Sequence, residues 1–91
     1  MLESQAAILY QNIPNPFGEG TAISYYLPEN IKNAVMIFYN EYGQEIKSVA
    51  LADSGMGKLN ISSVNLAAGI YTYSLVVDGK TVDTKKMMRV K

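Results

Sequence analysis

Ile70-Tyr71-Thr72-Tyr73-Ser74-Leu75-Val76-Val77-Asp78-Gly79 decides the fold class of this chain. Side chains on a strand alternate between faces, so Tyr71, Tyr73, Leu75 and Val77 share one face and Thr72 and Ser74 the other. Aromatic and β-branched residues suit such a half-buried pleated surface. Asp78-Gly79 then offers two residues that tolerate positive φ, as a type I′ hairpin turn requires. A last strand is therefore predicted from Lys80 to about Val90.

The same period runs through the rest of the sequence. Thr21 to Leu27 alternates, with Ile23, Tyr25 and Leu27 on one face. Ala34-Val35-Met36-Ile37-Phe38-Tyr39 is apolar in both phases, so alternation does not assign its inward face. From Gln44 to Ala52 the pattern weakens: Ile46, Val49 and Leu51 break the alternation, as a β-bulge would. Lys58 to Ser62 is short, with Leu59 and Ile61 in phase. Pro14-Asn15-Pro16 cannot continue a ladder, because both prolines lack an N–H. Leu27-Pro28-Glu29-Asn30 closes one strand, and Asn40 to Gly43 fits a hairpin loop with glycine in the left-handed position. Ser54 to Gly57 reads as a glycine-loosened loop, and Val64 to Ala68 as one short turn. Six or seven short strands with a turn every 8–12 residues predict an all-β, immunoglobulin-like antiparallel sandwich.

At 91 residues there is room for one domain. Such a chain buries only about 60–65% of its unfolded surface, so it cannot carry many strained sites. The 18% charged fraction is too low for a disordered tail. Histidine, cysteine and tryptophan are absent. The usual general base and thiol nucleophile are therefore missing, as are the usual zinc ligands. No enzymatic activity, metal or cofactor is expected. Glu41 and Glu45 straddle a turn, Ser48 and Lys47 point to opposite pleat faces, and Asp53 and Asp78 belong to no acidic cluster. No run of about 18 apolar residues exists, so no membrane insertion is expected. The first residues lack the charge and apolar run of a signal peptide.

Leu66-Ala67-Ala68-Gly69-Ile70-Tyr71 places a glycine and a tyrosine where the chain enters a new strand. In immunoglobulin-like sandwiches a tyrosine at such a corner donates its hydroxyl to upstream backbone. Tyr71 is expected to do so, with Gly69 relieving the bend.

Four segments read together resemble one family. They are Leu9 to Phe17, Phe38 to Gly43, Leu66 to Tyr71, and the ending Lys85 to Lys91. Their order and spacing are similar to the type A C-terminal sorting domain of the type IX (Por) secretion system of Bacteroidetes. The resemblance covers residues 9–91, leaving 1–8 as a linker or an appended remnant. It implies a domain that ends exported proteins and is read by the outer-membrane translocon. A sortase-like cysteine protease at the surface then removes it. The cargo would be secreted or surface-bound after crossing the periplasm, and this chain would be an excised tail. Residue by residue, the implied recognition elements are Pro14, Asn15, Pro16 and Phe17; Gly69 and Tyr71; and Lys85, Lys86 and Lys91. The family pattern also favours Ala34, Met36 and Phe38 as the inward face of their strand.

The charge distribution points to the same end of the chain. From residue 80 onward five basic residues face only Asp83, a net +4, whereas residues 1–79 carry three lysines against seven acids, a net −4. Lysines on an edge strand prevent edge-to-edge pairing. They also steer a partner with an acidic surface. A terminal strand offers unpaired backbone groups, so a receptor could add it to its own sheet with Met87, Met88 and Val90 in alternate pockets. Whichever of Met87 and Met88 points inward is expected to plug the sandwich instead. Phe17 is expected to staple its loop to the core, and an exposed terminal strand invites a strand-swapped homodimer.

The rival reading is a non-catalytic carbohydrate-binding or adhesive sandwich. Seven tyrosines supply stacking faces. Tyr25, Tyr71 and Tyr73 fall in core phase, however, and no spacing gathers Tyr10, Tyr26, Tyr39 and Tyr42. Nucleic-acid binding is not expected, since no aromatic-basic interleaving accompanies the basic strand.

Overall fold

The computed structural model describes residues 6–64 and 66–90. Among the described residues seven strands follow one another: β1 (Ile8–Leu9), β2 (Gly20–Leu27), β3 (Ala34–Tyr39), β4 (Glu45–Leu51), β5 (Gly55–Ser62), β6 (Gly69–Val77) and β7 (Lys80–Arg89). They form a three-stranded sheet in the order β1-β2-β5 and a four-stranded sheet in the order β4-β3-β6-β7. Every strand pair is antiparallel. The architecture is an immunoglobulin-like β-sandwich.

The sheet faces follow the period-two pattern. Ile23, Tyr25 and Leu27 of β2 turn inward, as do Ala34, Met36 and Phe38 of β3. β3 is central in its sheet, between β4 and β6, so its outward residues are half-covered by neighbours and apolar there too. Phe38 and Tyr73 meet across β3 and β6 with ring centroids 6.2 Å apart, a tilted aromatic pair at the centre of the core. Ser74 faces the other way yet is buried, because its hydroxyl shares a hydrogen bond of 2.7 Å with that of Thr84 on β7.

The turns carry the chemistry expected of them. Asp78 and Gly79 adopt φ of 48° and 84°, and Gly43 one of 83°. Asp78 also anchors the far side of the molecule, where its carboxylate accepts the N–H groups of Lys32 and Asn33 at 2.9 Å each. The bulge lies at Ile46: Phe38 pairs with Lys47 and Tyr39 with Glu45, leaving Ile46 unpaired.

One expected loop is a strand. The segment Ser54 to Gly57 is not a loop, because Gly55, Met56 and Gly57 are paired with Leu27, Tyr26 and Tyr25 as the first half of β5. The reason is steric. Tyr25 lays its ring over Gly57, where an added Cβ would stand 2.4 Å from Cζ. The strand needs glycine there to make room for its cross-strand neighbour. Of the turn expected over Val64 to Ala68, Asn65 lies outside the described residues; Leu66 N–H donates to Ser63 O at 3.1 Å. β1 begins at Ile8, paired with Tyr26, one residue before the segment expected to form the domain.

Candidate functional site

β7 is an edge strand, and its last residues carry one of the four sequence motifs. Register with β6 sets each side chain. Met87 pairs with Tyr71 and points inward, 1% exposed. Met88 pairs with Ile70 and faces outward, 41% exposed. The adjacent methionines therefore divide between plugging the core and lining the surface. Lys86 is exposed, Val90 is exposed, and Lys85 reaches Asp83 at 3.4 Å at the sheet rim. Exposed pairs of this kind contribute about 0–1 kcal/mol. The expected role of Lys91 lies outside the described residues.

The other edge of β7 is not open along its last residues. Pro14 and Pro16 sit between two isolated bridges, an antiparallel one joining Ile13 to Ala22 of β2 and a parallel one joining Phe17 to Arg89 of β7. Both prolines follow cis peptide bonds. Because neither has an N–H, the ladder with β2 stops and the chain crosses to the second sheet. There Phe17 N–H donates to Met88 O at 2.9 Å, and Val90 N–H donates to Phe17 O at 2.8 Å. Asn15 substitutes for a strand residue: its Oδ1 accepts Met88 N–H at 2.9 Å. Gln11 Nε2 donates to Lys86 O at 2.6 Å. The segment Gln11 to Phe17 is thus a strap that satisfies the backbone edge from Lys86 O to Val90 N–H. The vacant edge expected for receptor pairing is occupied there by the chain itself, a usual protection for an edge strand.

Two features anchor the strap. Phe17 is 1% exposed and inserts between the sheets. Asn12, also 1% exposed, centres a buried polar knot. Its backbone N–H donates to the Tyr73 hydroxyl at 2.8 Å, which in turn donates to Tyr10 O at 2.9 Å. Its side-chain amide donates to Pro14 O and to Thr21 Oγ1, each at 3.0 Å. Thr21 donates to the same Pro14 carbonyl at 2.7 Å.

Burial pushes the Tyr73 phenol up to about 12, the Asn12 N–H opposing the shift and Asp83 adding slightly to it. The folded state therefore resists ionisation that the unfolded chain undergoes near pH 10. The stability linked to this group is complete below pH 10 and is lost as pH rises from 10 toward 12. Tyr73→Phe is expected to remove that share of the alkaline loss. It also leaves Asn12 N–H and Tyr10 O unpaired, costing roughly 1–3 kcal/mol at neutral pH. Urea midpoints of both proteins at pH 7, 10 and 11.5 measure the two effects.

On the opposite flank of β7, Gly69 pairs with Arg89. Gly69 has a φ of 155°, which other residues rarely adopt. The Tyr71 hydroxyl donates to Ala67 O at 2.6 Å, the corner bond expected from sequence. Tyr71→Phe is expected to cost about 1 kcal/mol in chemical denaturation, with the spectrum of the folded state unchanged.

Three stretches distant in sequence, Pro14 to Phe17, Gly69 to Tyr71 and Lys86 to Val90, therefore meet at one end of one strand. Gln11, Asn12 and Tyr73 complete this end, and sequence reading did not single them out as site residues. Their signal was an asparagine and a glutamine ahead of two prolines, polar residues whose partners, one buried and one exposed, lie 61 and 75 positions away.

The sequence profile of the family described as secretion system C-terminal sorting domain matches residues 12–91. Among curated proteins there is no significant sequence match. Among solved structures, dimeric latent PorU from Porphyromonas gingivalis superposes with a TM-score of 0.79 at 20% identity. The match covers 98% of this chain and 10% of that one, so this chain spans about a tenth of the PorU chain's length. At that identity the likeness is one of fold.

Proposed function

Since this chain belongs to the secretion system C-terminal sorting domain family, we propose that residues 9–91 carry its cargo across the outer membrane by presenting the end of β7 to the type IX machinery. The family is a sorting signal, generally non-catalytic, and its cargo is a secreted or cell-surface protein. The observation that supports the finer reading is convergence. The family match runs over residues 12–91, and the Pro14–Phe17, Gly69–Tyr71 and Lys86–Val90 stretches are contiguous in space.

In this reading the sandwich is a rigid holder and β7 is the address. Lys85, Lys86 and Lys91 supply positive charge, while Met88 and Val90 supply exposed apolar contact. Charge sets the rate and register of docking more than its strength. Pro14, Asn15, Pro16 and Phe17 hold the strand in one conformation, and Gly69 with Tyr71 fixes its other flank. The partners are an outer-membrane translocon and a sortase-like cysteine protease that removes the domain at the surface.

The test fuses the domain to the C-terminus of a reporter bearing an export signal, in a bacterium with a working type IX system and in its translocon-null derivative. Surface or medium reporter is expected only in the first strain, with periplasmic reporter in the second. Equal distribution in both strains would overturn the reading.

A further inference from the structure

The strap and the strand it covers are matched in one respect and mismatched in another. Backbone groups are matched: Lys86 O, Met88 N–H, Met88 O and Val90 N–H all have partners in Gln11, Asn15 or Phe17. Charge is not. β7 carries Lys80, Lys85, Lys86 and Arg89 against Asp83, whereas Tyr10 to Phe17 contains no charged residue. An uncharged strap on a basic strand leaves electrostatic attraction unused, and an acidic segment in the same place would gain it.

The strap is fixed at its first half, where Ile13 pairs with Ala22 of β2 and Asn12 and Pro14 O belong to the buried knot, and is free of those ties from Asn15 onward. Only Gly18 and Glu19 join Phe17 to β2, and both are exposed. Its hold on β7 consists of two backbone hydrogen bonds, the side-chain bonds of Gln11 and Asn15, and the buried ring of Phe17.

We propose that Asn15 to Phe17, the part of the strap beyond the buried knot, is displaceable, and that the β7 edge beneath it docks an extended acidic segment of a partner protein in the same parallel register. The incoming segment supplies a side-chain acceptor where Asn15 meets Met88 N–H and a large apolar side chain in place of Phe17. Its carboxylates face Lys86 and its neighbours. This inference rests on the reading of β7 as the address, and it adds that the address is read with that part of the strap lifted.

The test uses the 91-residue chain in three forms: wild type, Asn15→Ala to loosen the strap, and Gly18→Cys/Val90→Cys to lock it. Gly18 and Val90 follow the Phe17–Arg89 bridge in register, where neighbouring strands lie about 4.8 Å apart, within disulfide reach. A Cβ at Gly18 stands more than 4 Å from every atom of Val90, so the bridge closes as exposed Gly18 shifts toward β7, and its formation is verified by mass and free-thiol titration in a chain with no other cysteine. The probes are a labelled synthetic copy of Tyr10 to Phe17 and the same peptide with Ile13→Asp and Asn15→Asp. The acidic peptide is expected to bind the Asn15→Ala chain about tenfold tighter than the neutral copy, an advantage that salt removes. Oxidised locked chain is expected to bind neither, and reduction is expected to restore binding of the acidic peptide. Equal binding of the two peptides, no binding to Asn15→Ala, or equal binding to oxidised and reduced chains would overturn the proposal. Dimerisation of Asn15→Ala without peptide would also overturn it, naming a second copy's strap as the occupant.

Export separates this inference from the one beneath it. The locked domain, judged against its two single-cysteine variants, is expected to hold cargo in the periplasm. Export of the locked form at the level of those variants would overturn the strap proposal and leave the secretion reading standing.

Discussion

Phe17→Ala is expected to destabilise the domain by about 3–5 kcal/mol, the range for removing a buried aromatic ring. A domain of this size has a total stability of roughly 5–10 kcal/mol, so much of the population unfolds under mild denaturant. Phe17 is 1% exposed and stands where the strap crosses from one sheet to the other. Its loss leaves a cavity between the sheets and frees the peptide that bonds Met88 and Val90. The effect therefore has two readouts. The urea midpoint falls sharply, and the amide protons of Met88 and Val90 exchange faster than those in the middle of β6. Asn15→Ala removes only exposed side-chain bonds and is expected to cost about 1 kcal/mol. If both substitutions cost the same small amount, Phe17 is not the wedge that holds the strap.

Much of the sandwich is legible in sequence because its determinants are local. Alternation in β2 and β6, glycine at the left-handed turn positions and the Asp78-Gly79 hairpin all lie within a few residues of what they control. The Tyr71 corner is legible for the same reason, since its acceptor is four residues upstream. Reading fails where the determinant is a distant neighbour. Gly55 to Gly57 looks like a loop until the Tyr25 ring occupies the space a side chain would need. Met87 and Met88 are equivalent in sequence, and only pairing with Tyr71 and Ile70 decides which is buried. The strap is the clearest case. Proline shows that the ladder stops at Pro14, but no local rule shows that Asn15 finds the backbone of a residue 73 positions later. The site motifs were visible as fragments, while their meeting was not.

In the proposed reading the closing strand is the address, and its charge is the part that can be altered without altering the fold. Deleting Lys85 to Lys91 would not isolate it, because the deletion also removes Met87 from the core and the partners of the strap. Charge reversal is cleaner. Lys86 is exposed, and Lys85 contributes only a rim ion pair with Asp83. Reversing Lys85, Lys86 and Lys91 to glutamate changes the closing segment, residues 80–91, from net +4 to net −2. Such a change turns attraction for an acidic surface into repulsion, which slows encounter by about tenfold to a thousandfold.

The decisive measurement is the fraction of a fused reporter reaching the cell surface or medium in a type IX-competent bacterium. It compares the native domain with Lys85→Glu/Lys86→Glu/Lys91→Glu, both shown to be folded by circular dichroism and urea titration. Surface delivery is expected to fall at least about tenfold, with folded fusion accumulating in the periplasm. Delivery at the native level by the folded, charge-reversed domain would contradict the assignment of the basic closing strand as the secretion address.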